Sequence, residues 1–310
     1  MFQENLPKPV AEFFNRDPET LKTGVVVNTI VRASMKAYLD RRGFVEINPV
    51  IISPISDPLN HPVGDPVIDY YGHRYRLTKS MIFHKQLALT YFDRIYSFSP
   101  NIRIEPIERA KTGRHLAEFT QLDLEVRGKP REYVMRLAEG MINRAIEDVL
   151  KKVDRSRLNP RIRPFPVPFK RVSYSEAFER FGKSFEDELS RLAKAPFWIV
   201  DIPLPEREFY DREIEDSGFL RDMDLIYPYG FGEAISGGER EFQYEKIRER
   251  IRKKGQREEE FSLLLAASKV GLSPSSGFGI GIERFVRFIV GARDIAEVSI
   301  FPKKIGELVL

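Results

Sequence analysis

Three glycines recur at every second position near the C-terminus. They are Gly277, Gly279 and Gly281, in the run SGFGIGIERFVRFIV. Because side chains alternate between the two faces of a strand, this spacing predicts a strand with one bare face, followed by a helix over 283–290. A bare face admits either a flat ligand or a tightly packed neighbouring strand, and the spacing fits both. It does not fit a dinucleotide-binding turn, since the residue that would have to be the last glycine is Ile282.

Composition limits the kind of protein that can carry this stretch. Hydrophobic residues make up 42% of the 310-residue chain and charged residues 31%, which is typical of a folded protein with a packed core. No apolar run approaches the roughly 20 residues of a membrane span, and the N-terminus has no signal-peptide pattern, so we expect a cytoplasmic protein without a membrane partner. The absence of cysteine excludes disulfides, thiolate metal sites and cysteine nucleophiles.

Periodicity along the chain predicts an α+β fold in which helices flank an antiparallel sheet. We expect helices over 18–42, 132–152, 240–254 and 256–270, a strand over 44–52 that contains Pro49, and an antiparallel hairpin over 94–126. Strands in hairpins between helical stretches are typical of α+β proteins. We expect one domain over 1–310, with an N-terminal extension over 1–17 and a connector or insertion over 150–200.

The predicted hairpin has one chemically rich face. Alternation places Arg103 and Glu105 on the polar face of the first strand, and Gln121 and Asp123 on one face of the return strand. The loop between the strands, PIERAKTGRH, is rich in phosphate-binding residue types. A solvated hairpin with a basic loop would have the same pattern, so the hairpin alone does not identify a site.

A third stretch, DLIYPYGFGEAISGGER, supplies hard oxygen ligands. Asp224, Glu233 and Ser236 suit magnesium, and Arg240 suits a carboxylate. Strict alternation would put Glu233 and Ser236 on opposite faces, so their cooperation requires a β-bulge. Without a bulge the stretch would be a polar glycine-rich loop.

Taken together and in order, these stretches resemble the three motifs of the class II aminoacyl-tRNA synthetases. The helix and the Pro49-bearing strand resemble motif 1, RIE with the loop and RHLAEF resembles motif 2, and GFGIGIER resembles motif 3. The runs RHLAEFTQLDLE and GEAISGGER are similar to the aspartyl/asparaginyl branch. The resemblance spans roughly residues 20 to 305 and implies a class II synthetase catalytic fold, a homodimer formed through motif 1, and the use of ATP and Mg²⁺.

The resemblance also implies a role for each matching residue. Arg103 and Arg284 would be catalytic and bind the phosphates of ATP, and Phe119 would stack on adenine. The ATP-binding set is Arg103, Glu105, His115, Leu116, Phe119, Glu233, Gly281 and Arg284. The aspartate-binding set is Ser80, Lys85, Gln121, Asp123, Ser236 and Arg240, and the magnesium ligands are Asp224, Glu233 and Ser236.

The sequence differs from the aspartyl/asparaginyl branch in three ways, and these differences bear on which reaction we expect. The chain begins almost directly at motif 1, where the branch carries an anticodon-reading barrel first. Ile82 stands where aspartyl enzymes carry a glutamine, and Ser275-Ser276 replaces a usual His-Gly. A synthetase core without a tRNA reader resembles the AMP-forming asparagine synthetases of archaeal type. We therefore expect asparagine synthesis from aspartate and ammonia through a β-aspartyl-AMP intermediate, with no nucleic-acid partner.

Two alternatives remain open. The chain could be a truncated synthetase paralogue that transfers aspartate to RNA or protein, or a catalytically inactive core retained for regulation or RNA binding. The presence of Arg103, Glu233 and Arg284 argues against the inactive core. The only dense basic run, over 248–257, is interrupted by glutamates and is more typical of a solvated helix than of an RNA-binding surface.

Overall fold

The computed structural model describes residues 6–309, which form two β-sheets and the helices around them. The strands are β1 Val45–Glu46, β2 Ile52–Ser53, β3 Val67–Tyr70, β4 His73–Leu77, β5 Arg94–Ile102, β6 Glu118–Arg127, β7 Lys170–Ser173, β8 Phe197–Pro203, β9 Phe219–Tyr227, β10 Gly232–Arg240 and β11 Ser275–Gly281. The larger sheet has the order β1-β5-β6-β11-β10-β9-β8-β7, and the smaller has the order β2-β4-β3.

The helices lie before, between and after these strands. They are α1 Lys8–Phe14, α2 Pro18–Asp40, α3 Ile82–Ala88, α4 Arg131–Lys152, α5 Tyr174–Phe181, α6 Phe185–Leu192, α7 Tyr244–Lys253, α8 Ser262–Gly271 and α9 Ile282–Val290. Asp17 caps α2 by accepting hydrogen bonds from the backbone N–H groups of Glu19 and Thr20. In the part of the chain described, no helix is both long and apolar enough to cross a membrane.

The main hydrophobic core lies between the large sheet and the helices α2, α4 and α9. Val31, Met141 and Phe285 from these helices are fully buried together with Phe278 of β11. Burying one face of the sheet in this way stabilises the fold and leaves the opposite face available for polar residues.

A second hydrophobic core packs around Phe209, in the segment that runs along the polar face of the large sheet. Phe209 is fully buried, stacks on Phe83 of α3 at a centroid distance of 5.9 Å, and meets Phe261 edge-on at 4.8 Å. Ile247 of α7 and Leu264 of α8 belong to the same cluster. This cluster fixes the backbone on either side of Phe209.

The α+β prediction is confirmed, with one correction to the sheet. Its central strands are antiparallel, including the hairpin predicted over 94–126, but β1 pairs with β5 and β7 with β8 in parallel. The sheet is therefore mixed at both edges. The parallel β7–β8 pair arises because α5 and α6 form a crossover between those strands, within residues 150–200.

Three predicted element bounds are wrong. The single strand predicted over 44–52 is two short strands, β1 and β2, with Pro49 in neither, because proline cannot donate to a strand ladder. The helix predicted from 240 begins at Tyr244, since β10 continues to Arg240. The helix predicted over 256–270 begins at Ser262, after a 3-10 turn at Glu258–Phe261.

Candidate active site

The polar face of the large sheet carries a cavity of about 330 Å³. Every residue assigned to the site from the sequence lines it: Ser80, Lys85, Arg103, Glu105, His115, Leu116, Phe119, Gln121, Asp123, Asp224, Glu233, Ser236, Arg240, Gly281 and Arg284. The strands β6, β11 and β10 are neighbours in the sheet, so residues far apart in sequence meet there. The roles given to these residues from the sequence stay predictions.

One end of the cavity, here called the basic end, contains Arg103, His115, Phe119 and Arg284. Arg103 follows β5, donates from Nε to the Lys79 carbonyl at 3.0 Å, and places its guanidinium 5.1 Å from the centre of the Phe119 ring. It forms no ion pair with the described residues and interacts with the carboxylates of Glu105 and Glu233 only at longer range.

Arg284 lies in the first turn of α9, at the same end. Its guanidinium donates to the backbone carbonyls of Arg114 and Glu233, and it also lies 3.3 Å from a carboxylate oxygen of Glu233. The Glu233 carboxylate is shared with the middle of the cavity, where a magnesium ion is expected. Both guanidinium groups of the basic end are thus oriented chiefly by backbone carbonyls.

The loop at the basic end holds its histidine as a neutral ring. His115 Nε2 lies 3.1 Å from Arg109 and its Nδ1 lies 2.6 Å from the Thr112 hydroxyl. Burial, followed by the positive charges of Arg284, Arg109 and Arg114, lowers the pKa of His115 to about 3. At neutral pH this ring can therefore accept or donate a hydrogen bond but carries no charge.

The middle of the cavity contains the predicted magnesium ligands. The register of β9 and β10 shifts between Glu233 and Ile235, which is the bulge that the sequence argument requires. Ser236 stands opposite Asp224, and both line the cavity with Glu233. Asp224 pairs with Arg207, yet its Oδ1 is buried without a hydrogen-bond partner among the described residues.

This donor set fits Mg²⁺ in kind. No group of three His, Cys, Asp or Glu side chains in the described chain is arranged to hold a metal. Mg²⁺, however, commonly takes one or two carboxylates and completes its shell with water and substrate phosphates. Two carboxylates and a hydroxyl, with an orphaned buried oxygen on one carboxylate, are compatible with that mode.

Glu186 of α6 is a carboxylate at this point that sequence reasoning missed. Its Oε1 accepts a hydrogen bond from the backbone N–H of Glu233 at 3.2 Å. Burial, with the negative charge of Glu233, raises the pKa of Glu186 to about 7. For Glu233, guanidinium groups led by Arg284 outweigh the effect of burial and lower the pKa to about 2. One carboxyl of the pair is thus strongly ionised and the other holds its proton more readily.

The opposite end, here called the ion-pair end, contains Lys85, Asp123, Glu125, Asp211 and Arg240. Lys85 Nζ lies 3.0 Å from Asp123 Oδ1 and 3.7 Å from Glu125 Oε2. Arg240 donates from Nε to Glu125 at 3.2 Å and from Nη1 to Asp211 at 2.9 Å. All five side chains are nearly inaccessible to solvent, so the charges are held in fixed positions.

Unused bonding capacity remains at the ion-pair end. Arg240 Nη2 donates to the Gly277 carbonyl at 3.0 Å, which leaves one N–H on each terminal nitrogen without a partner among the described residues. Asp123 Oδ2 is buried and likewise has no hydrogen-bond partner there. Buried polar atoms without partners are unfavourable unless a ligand satisfies them. This end therefore offers a cationic fork and a carboxylate oxygen to an incoming molecule.

Beside the ion-pair end lies a group that sequence reasoning also missed. Asp57, Glu208, Tyr210 and Asp211 line the cavity wall. For Glu208, Tyr210 and Asp211 the only sequence signal is the run EREFYDRE over 206–213, which is also typical of an exposed loop. Phe209 is buried in the second core, and this burial fixes the backbone of the run. The residues on either side of Phe209 therefore line the cavity.

Strand β11 shows both features expected from its glycine spacing, a tightly packed neighbouring strand at one end and space for a ligand at the other. A Cβ at Gly277 would meet the Leu124 carbonyl at 2.2 Å and Glu125 Oε2 at 2.1 Å, so this position is a packing contact. A Cβ at Gly281 would meet nothing closer than the Arg284 side chain at 3.7 Å, and Gly281 lines the cavity. The bare face is thus closed at one end and open to a ligand at the other.

A comparison with known protein families gives a match over most of the chain. The family of class II tRNA synthetases (D, K and N) matches residues 15–305. The chain belongs to this family. Its members are ligases, and the family assignment supports an enzyme of the ATP-using, class II type.

Individual relatives share about the same level of identity. The asparagine–tRNA ligase of Koribacter versatilis is 30% identical over 306 residues, covering 90% of this chain and 67% of the relative. That of Streptococcus mutans is 28% identical, covering 91% and 67%. The aspartate–tRNA(Asp/Asn) ligase of Methanopyrus kandleri is 28% identical, covering 89% and 66%. These names correspond to the alternative of a synthetase paralogue more closely than to asparagine synthesis.

Solved structures support the fold. Asparaginyl-tRNA synthetase from Pyrococcus horikoshii, complexed with asparaginyl-adenylate, superposes with a TM-score of 0.82 at 24% identity and covers 94% of this chain and 70% of that one. The Entamoeba histolytica asparaginyl-tRNA synthetase gives a TM-score of 0.82 at 19% identity, covering 99% and 76%. At this identity the likeness establishes the class II catalytic fold.

Proposed function

We propose that this protein uses ATP to activate aspartate as an acyl-adenylate and then converts it to asparagine with ammonia, releasing AMP and pyrophosphate. The observation that carries the proposal is the continuity of one cavity from the basic end to the ion-pair end. The basic end suits ATP and the ion-pair end suits aspartate, which are the two substrates of the activation step. A triphosphate requires available positive charge, and a dicarboxylic amino acid requires a fixed pattern of both signs.

Activation joins a substrate carboxylate to the α-phosphorus of ATP and expels pyrophosphate. Negative charge builds up on the phosphoryl oxygens as the phosphorus becomes pentavalent. Arg103 and Arg284 would stabilise that charge because backbone carbonyls already hold both guanidinium groups in place. Phe119 would provide the apolar surface for adenine. Asp224, Glu233 and Ser236 would hold Mg²⁺, which when bound supplies charge neutralisation at the phosphates.

Selection of aspartate would take place at the ion-pair end. The two unpartnered N–H groups of Arg240 suit one carboxylate, and Asp123 Oδ2 suits the α-ammonium group. An apolar amino acid would leave these buried groups unsatisfied, which is strongly unfavourable. We place the α-carboxylate at Arg240, so that the β-carboxylate extends towards Arg103.

Ammonia is favoured as the acceptor by the charge of the cavity wall. Asp57 and Glu208 line the cavity and form no ion pair with the described residues, whereas Asp211 and Asp222 are paired with Arg240 and Arg207. The two unpaired carboxyl groups attract a small cation such as ammonium. The basic run over 248–257 adds little attraction for RNA, since Arg248, Arg250 and Arg252 are paired with glutamates.

Transfer of the amino acid to tRNA is the second candidate. It is favoured by the names of the relatives, which are tRNA ligases for asparagine or aspartate. In that case the α-carboxylate would face ATP, and the acceptor would be a ribose hydroxyl.

One experiment separates the two candidates. Purified protein is incubated with aspartate, ATP and Mg²⁺, with either ammonium or total tRNA, and AMP and amino-acid products are measured. Asparagine and AMP formed only with ammonium would agree with the main proposal. Aminoacylated tRNA without asparagine would overturn it in favour of the second candidate, and the absence of AMP in both would overturn both.

We further propose a two-fold dimer through α2 and β1. Val25 and Val26 of α2 and Val45 of β1 are exposed, and β1 is an edge strand. Exposed apolar residues beside a free strand edge are typical of an interface. Light scattering at micromolar concentration is expected to give twice the mass of the chain, and a stable monomer would contradict the proposal.

A further inference from the structure

Next to the ion-pair end, Asp57, Glu208 and Tyr210 form what is here called the acidic corner. The Tyr210 hydroxyl lies 3.1 Å and 3.2 Å from the two oxygens of Asp57, to which it donates. The Ser80 hydroxyl donates to Asp57 Oδ2 at 2.7 Å. Asp57 is therefore oriented by two hydroxyl groups and by the backbone N–H of Leu59, and it forms no ion pair with the described residues.

Glu208 is the unsatisfied member of the acidic corner. Only 7% of its surface is exposed, and the side chain lines the cavity. Its Oε2 accepts one long hydrogen bond from Gln256 at 3.4 Å. Its other oxygen has no partner in residues 6–309, and no Lys or Arg there lies within ion-pair distance of it. A buried carboxylate without a cation is unfavourable unless a ligand supplies the positive charge.

The position of Glu208 is set by the fold. Its neighbour Phe209 packs between Phe83 and Phe261 in the second core, so the backbone is anchored directly beside it. Tyr210 on the other side is held by Asp57, and Asp211 is bonded to Arg240. The acidic corner is thus continuous with the site proposed for aspartate. The corner also adjoins Arg103, because Ser80 donates to Asp57 and the carbonyl of the residue before Ser80 accepts a hydrogen bond from Arg103. A ligand there would therefore lie between Arg240 and Arg103, where we place the β-carboxylate.

We propose that the acidic corner binds the ammonium ion and that Glu208 accepts a proton from it, an inference that rests on the proposed function. Ammonium gives one proton to the Glu208 carboxylate and becomes ammonia. The ammonia lone pair forms a C–N bond to the β-carbonyl carbon of aspartyl-AMP, and the C–O bond to AMP breaks with its electron pair remaining on AMP. The nitrogen then releases a second proton to the phosphate of the departing AMP or to water, which leaves the neutral amide of asparagine.

Electrostatics agrees with this role. Burial, with the negative charge of Asp57, raises the pKa of Glu208 to about 7, against the lowering effects of Lys254 and Gln256. A base with a pKa near the working pH is suited to proton transfer. The α-ammonium group of aspartate is a weaker candidate for this corner, because Asp123 Oδ2 at the ion-pair end already provides for it.

The test compares two nucleophiles on matched variants. Ammonium must lose a proton before it can attack, whereas hydroxylamine is largely uncharged at neutral pH and attacks directly. Glu208→Gln keeps the size of the side chain and removes the base. Glu206→Gln, two residues away on an exposed side chain, is the matched control. Initial rates of asparagine and of aspartyl hydroxamate formation are measured for both variants and for the unmodified protein.

For Glu208→Gln, kcat/KM for ammonium is expected to fall by roughly 10²-fold or more, as for loss of a general base. Hydroxamate formation should fall far less, and Glu206→Gln should match the unmodified protein in both reactions. Equal losses in both reactions, or an unchanged ammonium reaction, would overturn the role of Glu208. Unmodified protein that forms hydroxamate but no asparagine would instead overturn the proposed function, and this inference with it. If Glu208→Gln fails to fold, Asp57→Asn is measured with the same expectations.

Discussion

Arg103 and Arg284 at the basic end of the cavity are held chiefly by backbone carbonyls, whereas Lys85 and Arg240 at the ion-pair end are held by carboxylates. Arg103 and Arg284 donate to carbonyl groups and remain partly exposed. Lys85 and Arg240 are buried and each contacts two carboxylates. The first arrangement keeps positive charge available for a charge that develops during reaction. The second gives a nearly neutral, rigid frame that distinguishes one ligand from another.

The comparison predicts different consequences when a cation is removed from each end. Loss of a charge at the ion-pair end should affect folding, because carboxylates would be left buried and unpaired. Loss of a charge at the basic end should affect the reaction and leave the fold intact. Substitutions at the two ends test this difference, and their effects should decrease from Arg240 through Arg103 to the glycines of β11.

The largest effect is expected for Arg240→Met. It leaves Asp211 without its cation in a buried site and leaves Glu125 with Lys85 alone, and breaking a buried pair in this way typically costs about 3–5 kcal/mol of stability. Urea unfolding should show a lower midpoint with an unchanged slope. The control is Arg248→Met, which removes a partly exposed pair with Glu258 and should change the midpoint far less. Equal shifts for the two variants would contradict the comparison.

Arg103→Ala should slow the activation step and leave the protein folded. Its expected cost in free energy is slightly smaller than the loss of stability expected for Arg240→Met. Losing one charge-stabilising donor typically costs about 2.7–4 kcal/mol in the transition state, or roughly 10²–10³ in rate. Aspartate-dependent ATP–pyrophosphate exchange measures the activation step, and the KM for aspartate should change little. Lys111→Ala is the control, since Lys111 lies on the same loop with an exposed side chain. A normal exchange rate in Arg103→Ala would mean that Arg103 does not act at the phosphate.

Two glycine substitutions on β11 test the same contrast on one strand. Gly277→Ala at the ion-pair end would drive a Cβ against the Leu124 carbonyl, and overpacking of this kind typically costs about 1–3 kcal/mol. Gly281→Ala meets only ordinary contacts, so stability should be retained while the KM for ATP rises. Thermal unfolding and ATP kinetics give the two readouts. Greater destabilisation by Gly281→Ala would contradict the assignment of a packed and an open end.

Local patterns in the sequence predict the parts of this site that lie on single elements. Alternation places Gln121 and Asp123 on one face of a strand, and both line the cavity. The glycine spacing predicts β11, and Asp17 followed by Pro18 predicts the start of α2. These successes share a cause, since the side-chain period of a strand and the capping of a helix depend only on neighbouring residues.

The remaining parts depend on contacts between distant segments. Tyr210 donates to Asp57, 153 residues away, and Arg114 lies 3.5 Å from Glu186 on α6. No local period brings such groups together, and the acidic run around Phe209 is indistinguishable from an exposed loop until Phe209 is known to be buried. The bulge at Glu233 is required by the chemistry but has no signal of its own. Its cause is the pairing of β10 with β9, which is again a tertiary feature.

The smallest net effect is expected for the pH dependence of stability, because two opposite contributions, one from each side of the cavity, largely cancel. Burial raises the pKa of Glu208 from 4.5 to about 7, so between these values the folded state retains a proton that the unfolded state has released. This contribution to stability is fully present below pH 4.5 and is lost as the pH rises through 7. Burial and nearby guanidinium groups lower the pKa of His115 from 6.5 to about 3. Its contribution is fully present above pH 6.5 and is lost as the pH falls towards 3.

In the unmodified protein the two dependences oppose each other between pH 4.5 and 6.5. Glu208→Gln should therefore make stability rise more steeply with pH over this window, and His115→Asn should make it rise less steeply or fall. Urea unfolding at several pH values measures both slopes, with Glu206→Gln as the control. Curves parallel to that of the unmodified protein for both variants would show that neither group changes its protonation on folding. The contrast between the two ends would then rest on the arginine variants alone.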